Sequence, residues 1–231
     1  MNALTRATLL LIPLLLASGC DSSSNTAHPA GPGTISSRAD AARSLPTPAS
    51  YAETCRLVGS WCLPTTGRIP RELRRPLRLP ELGPGESCPT SAGHAFKNSQ
   101  FGGIALGRGP VQPLIAASGG EQTRGIVPFQ RWSGGGHWWS VKTLWFSHPR
   151  YRGPVFIRGR RVGGSDQIVF GERPTLVDPQ LPPTRTVNGR DGWREWPGAT
   201  FIRHFGCYAW QVDGTSFSSL IVFKAVKAQG H

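Results

Sequence analysis

The run from Phe205 to Val226 restricts the fold of this chain more than any other stretch. From Cys207 to Val212 the side chains alternate, with Tyr208, Trp210 and Val212 on one face and Cys207, Ala209 and Gln211 on the other. Asp213-Gly214 has the chemistry of a tight turn, and a longer loop is an equal alternative because Phe217 follows at once. The return run, Leu220 to Val226, is β-branched and aromatic, which suits a pleated, half-buried surface. A lone hairpin is marginal in water, so further strands must cover this one. Few titratable groups fall within it, so the run reads as core and not as a reaction centre.

Composition points the same way. Of 231 residues, 29 are glycine and 21 proline, and only 17% are charged, a profile of short strands and turns. Strands are expected at 104–106, 111–116, 125–129, 138–146, 155–158, 168–170, 175–177 and 200–204. The prolines beside 111–116 suggest an edge strand. In 138–146, Trp139, Val141, Thr143 and Trp145 alternate against Trp138, Ser140, Lys142, Leu144 and Phe146. No window holds a helical period. Short strands about 8–15 residues apart, punctuated by glycine and proline, predict an all-β, Ig-like antiparallel β-sandwich.

The N-terminus indicates location. A short segment with one positive charge, Arg6, precedes the apolar run Leu9 to Leu16, and Ala17-Ser18-Gly19-Cys20 follows. The run is too short to span a bilayer and has the length of a signal-peptide core. The ending resembles a bacterial lipoprotein signal, which implies cleavage before Cys20 and lipidation of its thiol. Residues 1–19 are thus the expected signal peptide. Residues 20–50 are the lipidated cysteine and a flexible Ser/Thr/Ala/Pro/Gly tether reaching on the order of 30 Å. Residues 51–231 are the sandwich, with 51–91 as its Cys/Arg/Pro-rich extension. The expected location is the extracytoplasmic face of the cell membrane, held by the lipid, which two buried acyl chains make stable.

Export permits disulfides. Cys55, Cys62, Cys88 and Cys207 allow three connectivities, and the favoured pairing is Cys55 with Cys62 and Cys88 with Cys207. A zinc site is not expected, because no Cys-x-x-Cys and no histidine stand at ligand spacing. Formal charge is +13, from 26 Lys+Arg against 13 Asp+Glu. That excess suits anionic lipid or wall polymers, or reflects genomic bias alone; export argues against nucleic acid. The basic run from Arg68 to Arg78 is broken by Pro70 and Pro76 and cannot be a continuous helix, so it reads as a solvated basic loop, with contact to anionic headgroups or wall polymers as the alternative.

Two groups are candidates for binding. The loop Ser133-Gly134-Gly135-Gly136-His137-Trp138-Trp139 lets backbone amides approach a ligand, and its tryptophans suit a sugar face or a lipid interface, unless they are core. Arg158, Arg160, Arg161 and Arg194 form a candidate anion patch, or protect sheet edges. No catalytic residue, metal or cofactor is expected, since the nucleophile-elbow, zincin and dinucleotide motifs are all missing from the sequence. A wall-glycan hydrolase is the alternative from another class. It would need two of the scattered acids Asp166, Asp178, Asp191, Glu195 and Asp213 about 5–9.5 Å apart. Passive adhesion by arginine is the third reading.

The set Cys88-Pro89, Gly107 to Val111, Val141 to Trp145, Val155 to Arg161, Trp193 to Trp196 and Gly206 to Gly214 resembles a group of uncharacterised secreted actinobacterial lipoproteins with a C-terminal Gly-Cys-Tyr hairpin. The resemblance covers roughly residues 85–226. It implies a secreted sandwich built around that strand and no activity. The expectation is a lipid-anchored module that binds or scaffolds at the cell envelope.

Overall fold

A computed structural model of the chain describes residues 55–59, 61–64, 69–98, 100–116, 120–183 and 189–229. The leader, Cys20 and the tether lie outside the described residues, as do the side chains of Cys55 and Cys62 and therefore their pairing.

The described chain is all-β. Its strands are β1 (Cys55–Val58), β2 (Trp61–Pro64), β3 (Gly93–Lys97), β4 (Gly102–Leu106), β5 (Val111–Ile115), β6 (Ile126–Arg131) and β7 (Trp139–Ser147). Then come β8 (Val155–Arg161), β9 (Val169–Gly171), β10 (Leu176–Val177), β11 (Gln180–Leu181), β12 (Arg194–Ile202), β13 (Gly206–Gly214) and β14 (Ser218–Lys227). One sheet runs β1-β2-β11-β8-β13-β14-β6; the other holds β3, β4, β5, β7, β12, β9 and β10. β6 belongs to both. Its residues Ile126 to Phe129 run parallel to β14, and Gln130 and Arg131 pair antiparallel with β7. A strand that changes partner in this way closes one side of a sandwich, and the expected all-β sandwich is the observed class.

The core is aromatic. Trp61, Trp145, Trp196 and Trp210 are all buried between the layers. Trp145 of β7 meets Trp210 of β13 edge to face at 5.6 Å, and Trp210 stacks on Phe223 at 4.0 Å. The first pair joins the two sheets, and the second supports it from the neighbouring strand β14, through the alternation read from Tyr208, Trp210 and Val212.

Some elements differ from expectation. β5 is not an edge strand: it pairs with β7 along its length and with β4 at Leu114 and Ile115. Pro113 is tolerated because it lies outside the β4 pairing. β12 begins at Arg194, well before the expected Thr200, and pairs with β7 throughout despite Pro197-Gly198. That dipeptide serves Trp61. The indole Nε1 donates to the Pro197 carbonyl at 3.0 Å, and a Cβ on Gly198 would lie 2.9 Å from the ring. The final hairpin keeps Asp213 in register with Ser218, and the chain reverses beyond Gly214, whose N–H donates to the Phe217 carbonyl at 3.0 Å. The longer loop is thus the one formed, and the Asp213 carboxylate is left inside the sheet.

Residues 69–91 cross the outer face of the β8-β13-β14 sheet as a strap. Leu73 is buried on Phe156, while Leu79 and Leu82 cover Val162, Ala209 and Val222. The strap's far end is fixed by the Cys88–Cys207 disulfide, as expected from the sequence, with Cα atoms 5.4 Å apart. Its near end is fixed over Asp213, as described next.

Candidate functional site

The expected anion patch is taken up by the protein's own groups. Arg158 donates to the Asp213 carboxylate at 2.7 Å and to the Arg75 carbonyl. Arg160 grips Asp178 with both terminal nitrogens, each at 2.7 Å. Arg161 lies 3.3 Å from Asp166. Arg194 is buried and donates to the carbonyls of Tyr151, Gly153 and Pro183 and to Ser147 Oγ, with its guanidinium over Trp196. Burial pulls its pKa from the usual arginine value to about 10. Arg194 thus clamps the loop between β7 and β8. Asp213 also receives Ser218 Oγ at 2.6 Å and Gln211 Nε2 at 3.0 Å, while Gln211 Oε1 accepts the Arg78 N–H of the strap.

Three of the candidate acids therefore have separate partners. Asp166, Asp178 and Asp213 each face a different arginine. The histidines are likewise apart in their partners. His148 Nδ1 accepts the Arg150 N–H and its ring meets Trp193, whereas His204 Nδ1 lies 2.9 Å from Asp166. Among the described residues no group of three His, Cys, Asp or Glu side chains is placed to hold a metal ion.

The expected ligand loop is in a different setting. The tip from Ser133 to His137 is exposed, and Trp138 and Trp139 are part-buried. They sit at one open end of the sandwich, where the inward-facing rows of three strands run out. On β6 the row Val127, Phe129 ends at Arg131; on β14 the row Phe223, Ala225 ends at Lys227; on β7 the row Trp145, Thr143, Val141 ends at Trp139. Both cations lie over the Trp139 ring, Arg131 at 5.5 Å and Lys227 at 5.9 Å, and Phe205 packs on it at 4.6 Å. Beside it, Arg203 lies over Trp138 at 4.1 Å. Arg131, Arg203 and Lys227 are exposed. Among the described residues no carboxylate lies within ion-pair distance of any of them. Arg131 Nη2 reaches only the Gly136 carbonyl at 3.3 Å and His137 Nδ1 at 3.5 Å. A groove of about 430 Å³ adjoins this rim, lined by Lys224, Lys227, Gln130, Pro128 and Val226, with Glu121 also on its wall. Glu121 has its own partner in Arg124 at 3.6 Å.

Sequence reasoning named His137, Trp138 and Trp139 and missed Arg131, Arg203 and Lys227. The signal was present for two of them. Each continues an inward apolar alternation by one step past its end, where the next residue must meet water. Arg203 had no such signal, because it reaches Trp138 from the turn between β12 and β13.

His204 and Tyr208 form a second cluster. The Tyr208 hydroxyl donates to the His204 carbonyl at 2.8 Å, and burial, with the nearby Asp166 charge, pushes the phenol up to about 12. An unfolded tyrosine ionises near 10. The raised folded value means that Tyr208 contributes stability fully below pH of about 10, and that contribution is lost as pH climbs toward about 12. Burial also raises the Tyr151 phenol, so phenolate absorbance should show late-ionising tyrosines, the latest of them at about pH 12. Tyr208→Phe should remove one tyrosine from that late step, and an unchanged late amplitude in the variant would contradict the assignment.

Comparison of the chain with protein-family models, with curated proteins and with solved structures gives no match in any of the three.

Proposed function

We propose that the protein is a lipid-anchored, extracytoplasmic sandwich with a non-catalytic binding or scaffolding role at the cell envelope. The leader ending in Ser18-Gly19-Cys20 and the resemblance to secreted lipoproteins support the location. One observation carries the binding role. Arg75, Arg158, Arg160 and Arg161 all have carboxylate neighbours, whereas Arg131, Arg203 and Lys227 lie over two indoles at an open end, with no carboxylate within ion-pair distance among the described residues. A guanidinium held against a ring keeps its N–H edge free for an anion and loses little entropy on binding it. Envelope lipids and polymers are rich in anions, so this rim is the binding surface.

The test is capture of the whole chain by isolated envelope fractions at two salt concentrations. Capture at low salt is expected to fall at least about tenfold near 1 M, where the screening length is about 3 Å. Absence of capture at both salt concentrations would refute the role.

A hydrolase of wall glycans is the second reading, favoured by the His204–Asp166 contact, in which a carboxylate orients an exposed imidazole as a general base would be oriented. It requires that the chain release soluble glycan from purified wall and that Asp166→Asn abolish the release.

A further inference from the structure

The geometry points to an anionic bilayer as the surface that this rim meets, with lipid phosphates on Arg131, Arg203 and Lys227 and the two indoles at headgroup depth. The inference rests on the envelope-binding reading and names its ligand. Three observations favour a bilayer over a wall glycan.

A sugar that stacks on tryptophan needs an open indole face. Here Arg203 covers Trp138 at 4.1 Å, and Trp139 carries Arg131, Lys227 and Phe205. What the rim offers outward is cation edges between part-buried aromatic rings. That mixture is the one that partitions to a headgroup layer, where amphipathic rings sit among phosphates and basic side chains extend to them.

The rim is also terminal. It is made by the ends of β6, β7 and β14 and by two turns, so a flat surface can approach it without meeting the sheet faces. The tip of its longest turn is Gly134-Gly135-Gly136, with φ of 89° at Gly135 and 68° at Gly136. Only glycine adopts such angles freely, and at these positions the tip carries no bulky side chain that would meet an approaching surface.

Charge at the rim has one sign. Lys224 and Lys227 line the adjoining groove, and its one acid, Glu121, is paired with Arg124. A polyanionic surface neutralises all of these cations at once, whereas a single small anion would reach one or two.

The test uses the whole chain on two kinds of vesicle, pure phosphatidylcholine and phosphatidylcholine with a third phosphatidylglycerol. An apolar leader or a lipid would add equally to both, so the readout is the ratio of the two partition coefficients. The variant Arg131→Gln/Arg203→Gln/Lys227→Gln should lose roughly 100-fold of that ratio. Arg108→Gln/Arg150→Gln/Arg173→Gln removes the same charge at exposed sites elsewhere and should lose only a few-fold. Equal losses in the two variants would overturn the inference and leave net charge as the cause. Capture by envelope fractions from which lipid has been extracted, with a vesicle ratio near one, would also overturn it while leaving the envelope-binding reading in place. Loss of both would remove both.

Discussion

Asp213→Ala is expected to destabilise the fold by about 3–5 kcal/mol. The carboxylate is wholly buried and receives Arg158 at 2.7 Å, Ser218 at 2.6 Å and Gln211 at 3.0 Å, with Arg75 at 3.9 Å. Removing it strands a guanidinium whose side chain is only 13% exposed. The loss therefore reflects an uncompensated buried charge more than the net worth of the pair. It also loosens the strap, because Gln211 holds the Pro76 carbonyl and Arg75 holds the carbonyl of Gly214. Asp213→Asn keeps the shape and should cost less. Arg158→Met combined with Asp213→Ala should recover part of the loss, with a coupling of roughly 1–3 kcal/mol. Equilibrium denaturation of the four proteins measures this cycle. An Asp213→Ala loss below about 1 kcal/mol would contradict the assigned role.

Loss of the Cys88–Cys207 disulfide is the second large effect. The bridge spans 119 residues, and closing a loop of that length is worth about 4–5 kcal/mol in the chain-entropy model. Cys88→Ser/Cys207→Ser should lower the unfolding free energy by that order. The loss should be felt first in the strap, where the Ser91 N–H donates to the Val222 carbonyl at 2.7 Å. Amide exchange at Ser91 and Val222 should quicken before exchange in the Trp210 neighbourhood does. Uniform quickening across the sandwich would contradict a local role for the bridge.

The order of these effects explains what could be read from the sequence. Alternation is a local signal, and it located β13, whose inward Tyr208, Trp210 and Val212 are larger than the outward Cys207 and Ala209, while β7 and β14 stood out as long aromatic and β-branched runs. The bridge was readable because the expected export permits disulfides and Cys207 enters a strand read as core. β12 was cut short in the reading because Pro197-Gly198 breaks its pattern. The reason for that dipeptide is Trp61, which is far away in sequence and whose contact no local rule contains. The strap was read as a solvated basic loop. Arg75 instead reaches the Gly214 carbonyl at 2.6 Å and belongs to the buried network under Asp213.

The same division holds for the site. His137, Trp138 and Trp139 stood out by composition. Which arginines keep free charge was not readable, because neutralisation depends on tertiary neighbours. Arg158 and Arg160, which appeared suited to anions, face Asp213 and Asp178, whereas Arg131 and Arg203 face rings. Parity alone could have placed Arg131 and Lys227 at the sandwich end, had β6 and β14 been extended by a residue or two.

Binding through the rim is measured directly as the affinity of the whole chain for envelope fractions in two charge-matched variants. One removes Arg131, Arg203 and Lys227, and the other removes Arg108, Arg150 and Arg173, each by substitution to Gln. The first should lose roughly 100-fold at low salt and the second should stay within a few-fold of the unaltered chain. Equal weakening of the two would show that net charge, and not the cation–indole rim, holds the protein to the envelope.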